Sequence, residues 1–170
     1  VDQRFQTTAP GIFAVGDLIP GPMLAHKASE EGIACVELLA GKGGHVNYHA
    51  LPSVIYTHPE LAAVGLTEEQ VKDSGQPYRV GKFPFQANGR ARCLDETEGL
   101  VKVFADARTD RLLGLHVVGP RASDLIAEGV AALEFSGSAE DVARCCHAHP
   151  ALAEAVGEAA RAAWSSALHG

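Results

Sequence analysis

The chain has 170 residues, 46% of them hydrophobic and 21% charged, which suits a soluble globular protein with one main domain. Fourteen Lys and Arg against 21 Asp and Glu give a net charge of −7, and the basic residues are scattered, which argues against a nucleic-acid surface. No apolar run approaches the roughly 20 residues that cross a bilayer, and no cationic leader precedes the first residues, so neither membrane nor secretion is indicated.

Val1 stands where an initiator would, and the only methionine is Met23, so the chain reads as beginning inside a domain. Residues 1–47 hold one short apolar strand, Gly11 to Val15, and one helix, Leu24 to Ala40. Gly41-Lys42-Gly43-Gly44 ends that helix and serves as linker. One strand and one helix cannot enclose a core, so residues 1–47 read as a remnant of a larger domain with an apolar face uncovered.

From Tyr48 the pattern becomes α+β, and residues 48–170 are assigned to a second domain, an antiparallel sheet with helices. Val54 to Thr57 and Ala62 to Gly65 are expected as strands around the His58-Pro59 turn. Thr67-Glu68-Glu69-Gln70 is expected to start a helix as a capping box, with a Glu at N3. Tyr78 to Phe85, Leu100 to Ala105 and Leu112 to Val118 read as strands, with Asp110-Arg111 in the last hairpin. Ala122 to Phe135 forms an amphipathic helix, and Ser138 caps a short one through Cys145, with Glu140 and Asp141 at its positive end. About 120 residues suffice for an independent core.

The segment His147-Ala148-His149-Pro150-Ala151-Leu152-Ala153-Glu154 carries the chemistry. Proline suits the first helical position, so a helix is expected from Pro150 to Ala167, with His149 at its N-cap. Glu154 would then lie about one and a half turns in, able to reach back to one ring nitrogen. A carboxylate on Nδ1–H fixes the tautomer and leaves Nε2 free to take a proton, which makes an acid–base dyad. The residues alone equally fit a capping or surface histidine.

Cys35, Cys93, Cys145 and Cys146 show no CxxC spacing and no ligand pattern, so no metal site is expected. Adjacent Cys145 and Cys146 are read as buried thiols packing like small hydrophobes rather than as a vicinal redox pair. His45, His49 and His58 read as polar surface or interface groups. Phe13-Ala14-Val15-Gly16-Asp17 ends the first strand with a small residue and a carboxylate. Glycine allows a ligand to approach, and Asp17 can accept from a hydroxyl; an ordinary strand-end turn has the same sequence. Met23-Leu24-Ala25-His26 opens a helix whose free N–H groups would favour negative charge.

Four blocks together resemble the C-terminal third of the dihydrolipoamide dehydrogenases, a branch of the flavin-dependent disulfide oxidoreductase family. They are Thr8–Asp17, Gly21–Ala28, Pro52–Glu60 and the His147–Glu154 segment. The resemblance spans essentially the whole chain. It implies a strand–helix end of a FAD-binding domain over 1–47 and an interface (dimerisation) domain over 48–170. It further implies that Gly16 and Asp17 meet the ribityl chain of FAD, and that the backbone of Met23, Leu24, Ala25 and His26 faces its pyrimidine edge. His149 and Glu154 would be the catalytic dyad, and His147 an accessory histidine, although it could equally be a structural cap. Tyr56, His58 and Pro59 would lie at the subunit interface, or be ordinary strand and turn residues.

The implied activity is oxidation of dihydrolipoamide with FAD and NAD, the dyad of one subunit serving the redox disulfide of the other in a homodimer. The implied larger partner is the dihydrolipoyl acyltransferase of a 2-oxo acid dehydrogenase complex. Location would be bacterial cytoplasm, or the mitochondrial matrix in a eukaryote. No GxGxxG fingerprint and no cysteine pair with the family's four-residue spacing occur, so the chain alone is expected to bind no cofactor and turn nothing over. Ala151 and Ala153 stand where the family often has Thr and Ser, which removes hydroxyls near the dyad but neither of its members. Two other readings remain: an isolated dimerisation module, and the equivalent domain of a glutathione or mercuric reductase, against which the doubled histidine argues.

Overall fold

In the computed structural model, which describes residues 1–169, the chain divides after Tyr48 into two compact units. In the first, the expected helix is α1, Ala25–Leu39. It ends where the Gly41 N–H reaches the Leu38 carbonyl at 3.2 Å and the Lys42 N–H reaches that of Glu37 at 2.8 Å, with Gly41 at φ 73°. This paired closure satisfies carbonyls the helix leaves open. The strand expected over Gly11–Val15 does not form; a single antiparallel bridge, Gln6 to Phe13, takes its place. A strand needs a ladder, and this unit supplies no second strand to pair with. A small cluster of Phe5, Ala34 and Cys35, with Phe13, Val15, Ile19, Leu38 and Val46 around it, gives the unit a modest apolar centre. On α1, Ile33, Val36 and Leu39 stay exposed.

The second unit is an α+β fold on a five-stranded sheet. The strands are β1 Ser53–Ile55, β2 Glu60–Gly65, β3 Tyr78–Pro84, β4 Leu100–Asp106 and β5 Leu112–Gly119, in the order β1-β2-β5-β4-β3. Every pairing is antiparallel. The β4–β5 turn is closed by Asp106, whose carboxylate accepts the N–H groups of Arg108 and Thr109, each at 2.7 Å. These bonds, only partly offset by burial, hold its pKa down to about 2.

The helices of this unit are α2 Glu68–Asp73, α3 Gly89–Leu94, α4 Ala122–Glu134, α5 Ala139–Arg144 and α6 Glu154–Trp164. Helix α4 packs on β2 and β5, α6 on β3 and β4, and α5 on α6. The main core lies between: Val64, Phe83, Val101, Val103, Leu115 and Val117 from the sheet meet Ile126, Val156, Ala159 and Ala160 from the helices. The alanines of α6 let it lie low on β3. A Cβ at Gly81 would come within 1.9 Å of the Ala159 carbonyl oxygen, so the helix backbone rests where a side chain would otherwise stand. The far end of α6 is held by Arg79, which donates to the Trp164 carbonyl at 3.1 Å, and by Arg161, which donates to that of Ala143 at 2.6 Å.

Three further expectations are corrected, and one helix is added. The α2 capping box is closed by Gln70, because Thr67 is the N-cap and the third helical residue is the glutamine. Helix α3 was not anticipated; its start signal is Asn88, whose side chain caps the Ala91 N–H. Cys145 and Cys146, expected to be buried, are exposed, because they lie at and just beyond the C-cap of α5 rather than on a core-facing position. Helix α6 starts at Glu154 rather than Pro150 and stops at Trp164 rather than Ala167.

Candidate functional site

The late start of α6 is what builds the dyad. Pro150 follows His149 through a cis peptide bond, and Ala151 to Ala153 form a turn ahead of the helix. Two side chains pin that turn. Asn88, 2% exposed, donates from Nδ2 to the Ala151 carbonyl at 3.0 Å while its Oδ1 accepts the Ala91 N–H at 2.9 Å. Glu154 folds back from the first helical position, and its Oε2 accepts the Ala151 N–H at 2.8 Å. His149 is therefore not the N-cap; Ala153 is.

The other oxygen of Glu154, Oε1, lies 2.8 Å from His149 Nδ1. The pairing expected from sequence is present, across a turn rather than along a helix. The His149 side chain is 78% exposed while that of Glu154 is 25% exposed, so an anchored carboxylate orients a ring that reaches outward. Burial opposes ionisation of Glu154, but the Ala151 N–H and the His149 ring outweigh it and hold its pKa below the ordinary value. An ionised carboxylate on Nδ1 makes that nitrogen the N–H donor, so Nε2 is the nitrogen left for proton transfer.

His147 forms a second imidazole–carboxylate pair, its Nε2 lying 2.9 Å from Glu128 Oε1 on α4. Glu128 raises the pKa of His147, with burial working the other way. The ring packs against α6 at Gly157, where a Cβ would come within 2.7 Å of it. His147 thus ties α4 to the first turn of α6, the turn that carries Glu154. A third pair, His169 Nδ1 with Glu158 Oε1 at 3.1 Å, lies close by. His149, Glu154, Glu158 and His169 share a cleft of about 220 Å³ with Phe83 and Asn88. Sequence reasoning missed Asn88, Glu128, Glu158 and His169; the only local signal among them was Asn88-Gly89, a cap-like pair.

In the first unit, Gly16 is buried at φ 71°, and Asp17 beside it is exposed. Leu24 is the N-cap of α1 and makes no side-chain cap hydrogen bond. Met23 is 78% exposed. A Cβ at Gly16 would lie 2.9 Å from that of Ala28, so the glycine lets this loop pack on α1. The exposed Asp17 carboxylate beside it can accept from a hydroxyl-bearing ligand. Tyr56, His58 and Pro59 lie on the β1–β2 connection. Tyr56 is exposed, and His58 and Pro59 line another cleft of the second unit with Asp95, Glu96, Glu98 and Pro120.

The family of the pyridine nucleotide-disulphide oxidoreductase dimerisation domain matches residues 51–160. Dihydrolipoyl dehydrogenase 1, mitochondrial, of Arabidopsis thaliana is 57% identical over 99% of this chain and 33% of its own length. The mitochondrial dihydrolipoyl dehydrogenase of Caenorhabditis elegans is 58% identical over 96% of this chain and 33% of its own. Among solved structures, LpdA from Mycobacterium tuberculosis superposes with a TM-score of 0.89 at 29% identity, covering 95% of this chain and 36% of that one. The chain thus spans about a third of the length of the relatives it matches. With the matched region extending over more than half its length and the sheet and helices of that region in place, the chain belongs to the pyridine nucleotide-disulphide oxidoreductase dimerisation-domain family.

Proposed function

We propose that the chain is the C-terminal portion of a dihydrolipoyl dehydrogenase, supplying the homodimer interface and the acid–base dyad. The observation that carries this reading is the His149–Glu154 pair, 2.8 Å apart at the rim of a cleft, in a chain 57% identical to such an enzyme. Residues 1–48 are then the end of the FAD-binding domain and the rest is the interface domain. The exposed Ile12, Leu18, Met23, Ile33, Val36 and Leu39 of the first unit are the apolar surface that further chain would cover.

In this account His149 Nε2 removes a proton from one thiol of dihydrolipoamide, and the resulting imidazolium is stabilised by Glu154. The thiolate attacks one sulfur of the partner subunit's redox disulfide, breaking that bond and forming a mixed disulfide. The second substrate thiol, once deprotonated, closes the lipoyl disulfide and releases the protein's dithiol, so two electrons have moved from substrate to protein. The chemistry that FAD would supply is the relay of that electron pair to NAD⁺. Gly16, Asp17 and the backbone of Met23 to His26 would hold part of FAD. Tyr56, His58 and Pro59 would contribute to the dimer contact, and a dihydrolipoyl acyltransferase would be the larger partner. The names of the two eukaryotic relatives support a mitochondrial location over a bacterial cytoplasm.

The test is His149→Gln in the full-length protein. Dihydrolipoamide oxidation should fall by roughly 10²–10⁴-fold, the usual worth of a positioned base, with flavin content and dimerisation unchanged. Near-normal turnover would reject His149 as the base.

A further inference from the structure

Helix α1 buries two charges that the dyad chemistry does not use. Lys27 and Glu31 are both 0% exposed and one turn apart. Their polar atoms meet one another, the backbone of Gly16 and the hydroxyl of Tyr48. Lys27 Nζ donates to the Gly16 carbonyl at 3.1 Å and reaches both Glu31 oxygens, at 2.9 and 3.1 Å. Glu31 Oε2 accepts the Gly16 N–H at 2.7 Å, and its Oε1 accepts the Tyr48 hydroxyl at 2.9 Å. Both backbone groups of Gly16 are therefore held by a single ion pair.

The Lys27 stem also passes against Gly21, where a Cβ would lie 2.7 Å from its Cε. One side chain thus contacts both ends of the Gly16–Gly21 loop and grows from the first turn of α1. The carboxylate stays ionised despite burial, which opposes it, because Gly16, Lys27 and Tyr48 all donate to it. Burial, with help from Glu31, pushes the Tyr48 hydroxyl up to about 12, so it remains a donor. Buried pairs of this kind often stabilise no more than apolar residues of similar volume, whereas removing one partner alone is strongly destabilising.

We propose that Lys27 and Glu31 are the positioning pair of the flavin-contacting surface, fixing Asp17 and the opening of α1 relative to each other before FAD binds. This rests on the reading of Gly16, Asp17 and Met23–His26 as flavin contacts. Both charges are fully buried, so in this proposal they act through Gly16 and the loop.

The test is the rate of FAD release from the full-length protein, read by recovery of free-flavin fluorescence, in Asp17→Ala, Lys27→Met, Glu31→Gln and the double variant Lys27→Met/Glu31→Gln. Each single change leaves an uncompensated buried group, so the double variant, which removes both charges, is the decisive one if the singles fail to fold. Release should be about tenfold faster in Asp17→Ala and in the double variant, the equivalent of one charge-assisted hydrogen bond. Dimerisation should be unchanged. Fast release in Asp17→Ala with wild-type release in the double variant would overturn the positioning role and leave the flavin contact standing. Wild-type release in Asp17→Ala would remove the flavin contact and the positioning role with it.

Discussion

Gly81→Ala tests whether the lie of α6 on the sheet sets the dyad. An alanine Cβ there would sit 1.9 Å from the Ala159 oxygen, 2.4 Å from the Ala163 nitrogen and 2.9 Å from the Ala163 Cβ. Two of these three are backbone atoms, so rotamer change gives no relief. Ordinary contact begins near 3.4 Å, and the helix must retreat by the difference, 3.4 − 1.9 = 1.5 Å. Overpacking of this sort costs about 1–3 kcal/mol. At roughly 3–6 °C per kcal/mol for a unit of this size, the melting temperature should fall by about 3–18 °C. The same shift carries Glu154 away from His149, now 2.8 Å apart, and a displacement near 1 Å costs on the order of 10²-fold in rate. Urea unfolding of this chain and turnover of the full-length variant read the two effects. An unfolding free energy within about 0.5 kcal/mol of wild type would show that α6 does not rest on β3 as described.

Three other changes probe the frame around the dyad. Asn88→Ala loses both the α3 cap and the hold on Ala151; it should cost about 1–3 kcal/mol in urea unfolding and lower turnover without changing flavin content. Glu128→Gln removes the partner that raises His147. That raised pKa contributes stability fully present below about 6.5 and lost as pH rises through the folded value. The stability gap between wild type and Glu128→Gln should therefore be wide at pH 6 and narrow by pH 9, and a gap independent of pH would refute the pairing. Glu154→Gln should reduce dihydrolipoamide oxidation less than His149→Gln, because it misorients the base without removing it. Its depressed pKa contributes stability above about 4.3, lost as pH falls through the folded value, so wild type and variant should converge in acid unfolding.

The parts legible in the sequence are those specified locally. Alternating apolar residues located β3, β4 and β5 to within a residue or so, and Ser138 marked the start of α5 through its bond with Asp141. The dyad was legible because both members lie within six residues of one chain segment. The helix reading failed there because His-Pro followed by alanines mimics a helix start. The actual boundary is set by Asn88, 63 positions away, and by the carboxylate of Glu154 turning back on Ala151. Glu128 stayed hidden for the same reason: it is 19 positions from His147, and only the packing of α4 brings it there. Helix α3 has six residues and no apolar period, so Asn88 was its one sign. Lys27 and Glu31 look in sequence like a solvated i,i+4 pair; their burial depends on how the Gly16–Gly21 loop folds over α1.

The central claim is that His149 of one subunit serves the redox disulfide of the other. Hybrid dimers test it directly, pairing a full-length His149→Gln subunit that keeps its redox cysteines with a subunit that lacks them but keeps His149. The account predicts that these hybrids regain one of the two active sites, about half the wild-type turnover per dimer, while each parent homodimer is nearly inactive. Hybrids as inactive as the parents would place histidine and disulfide in the same subunit and contradict the account.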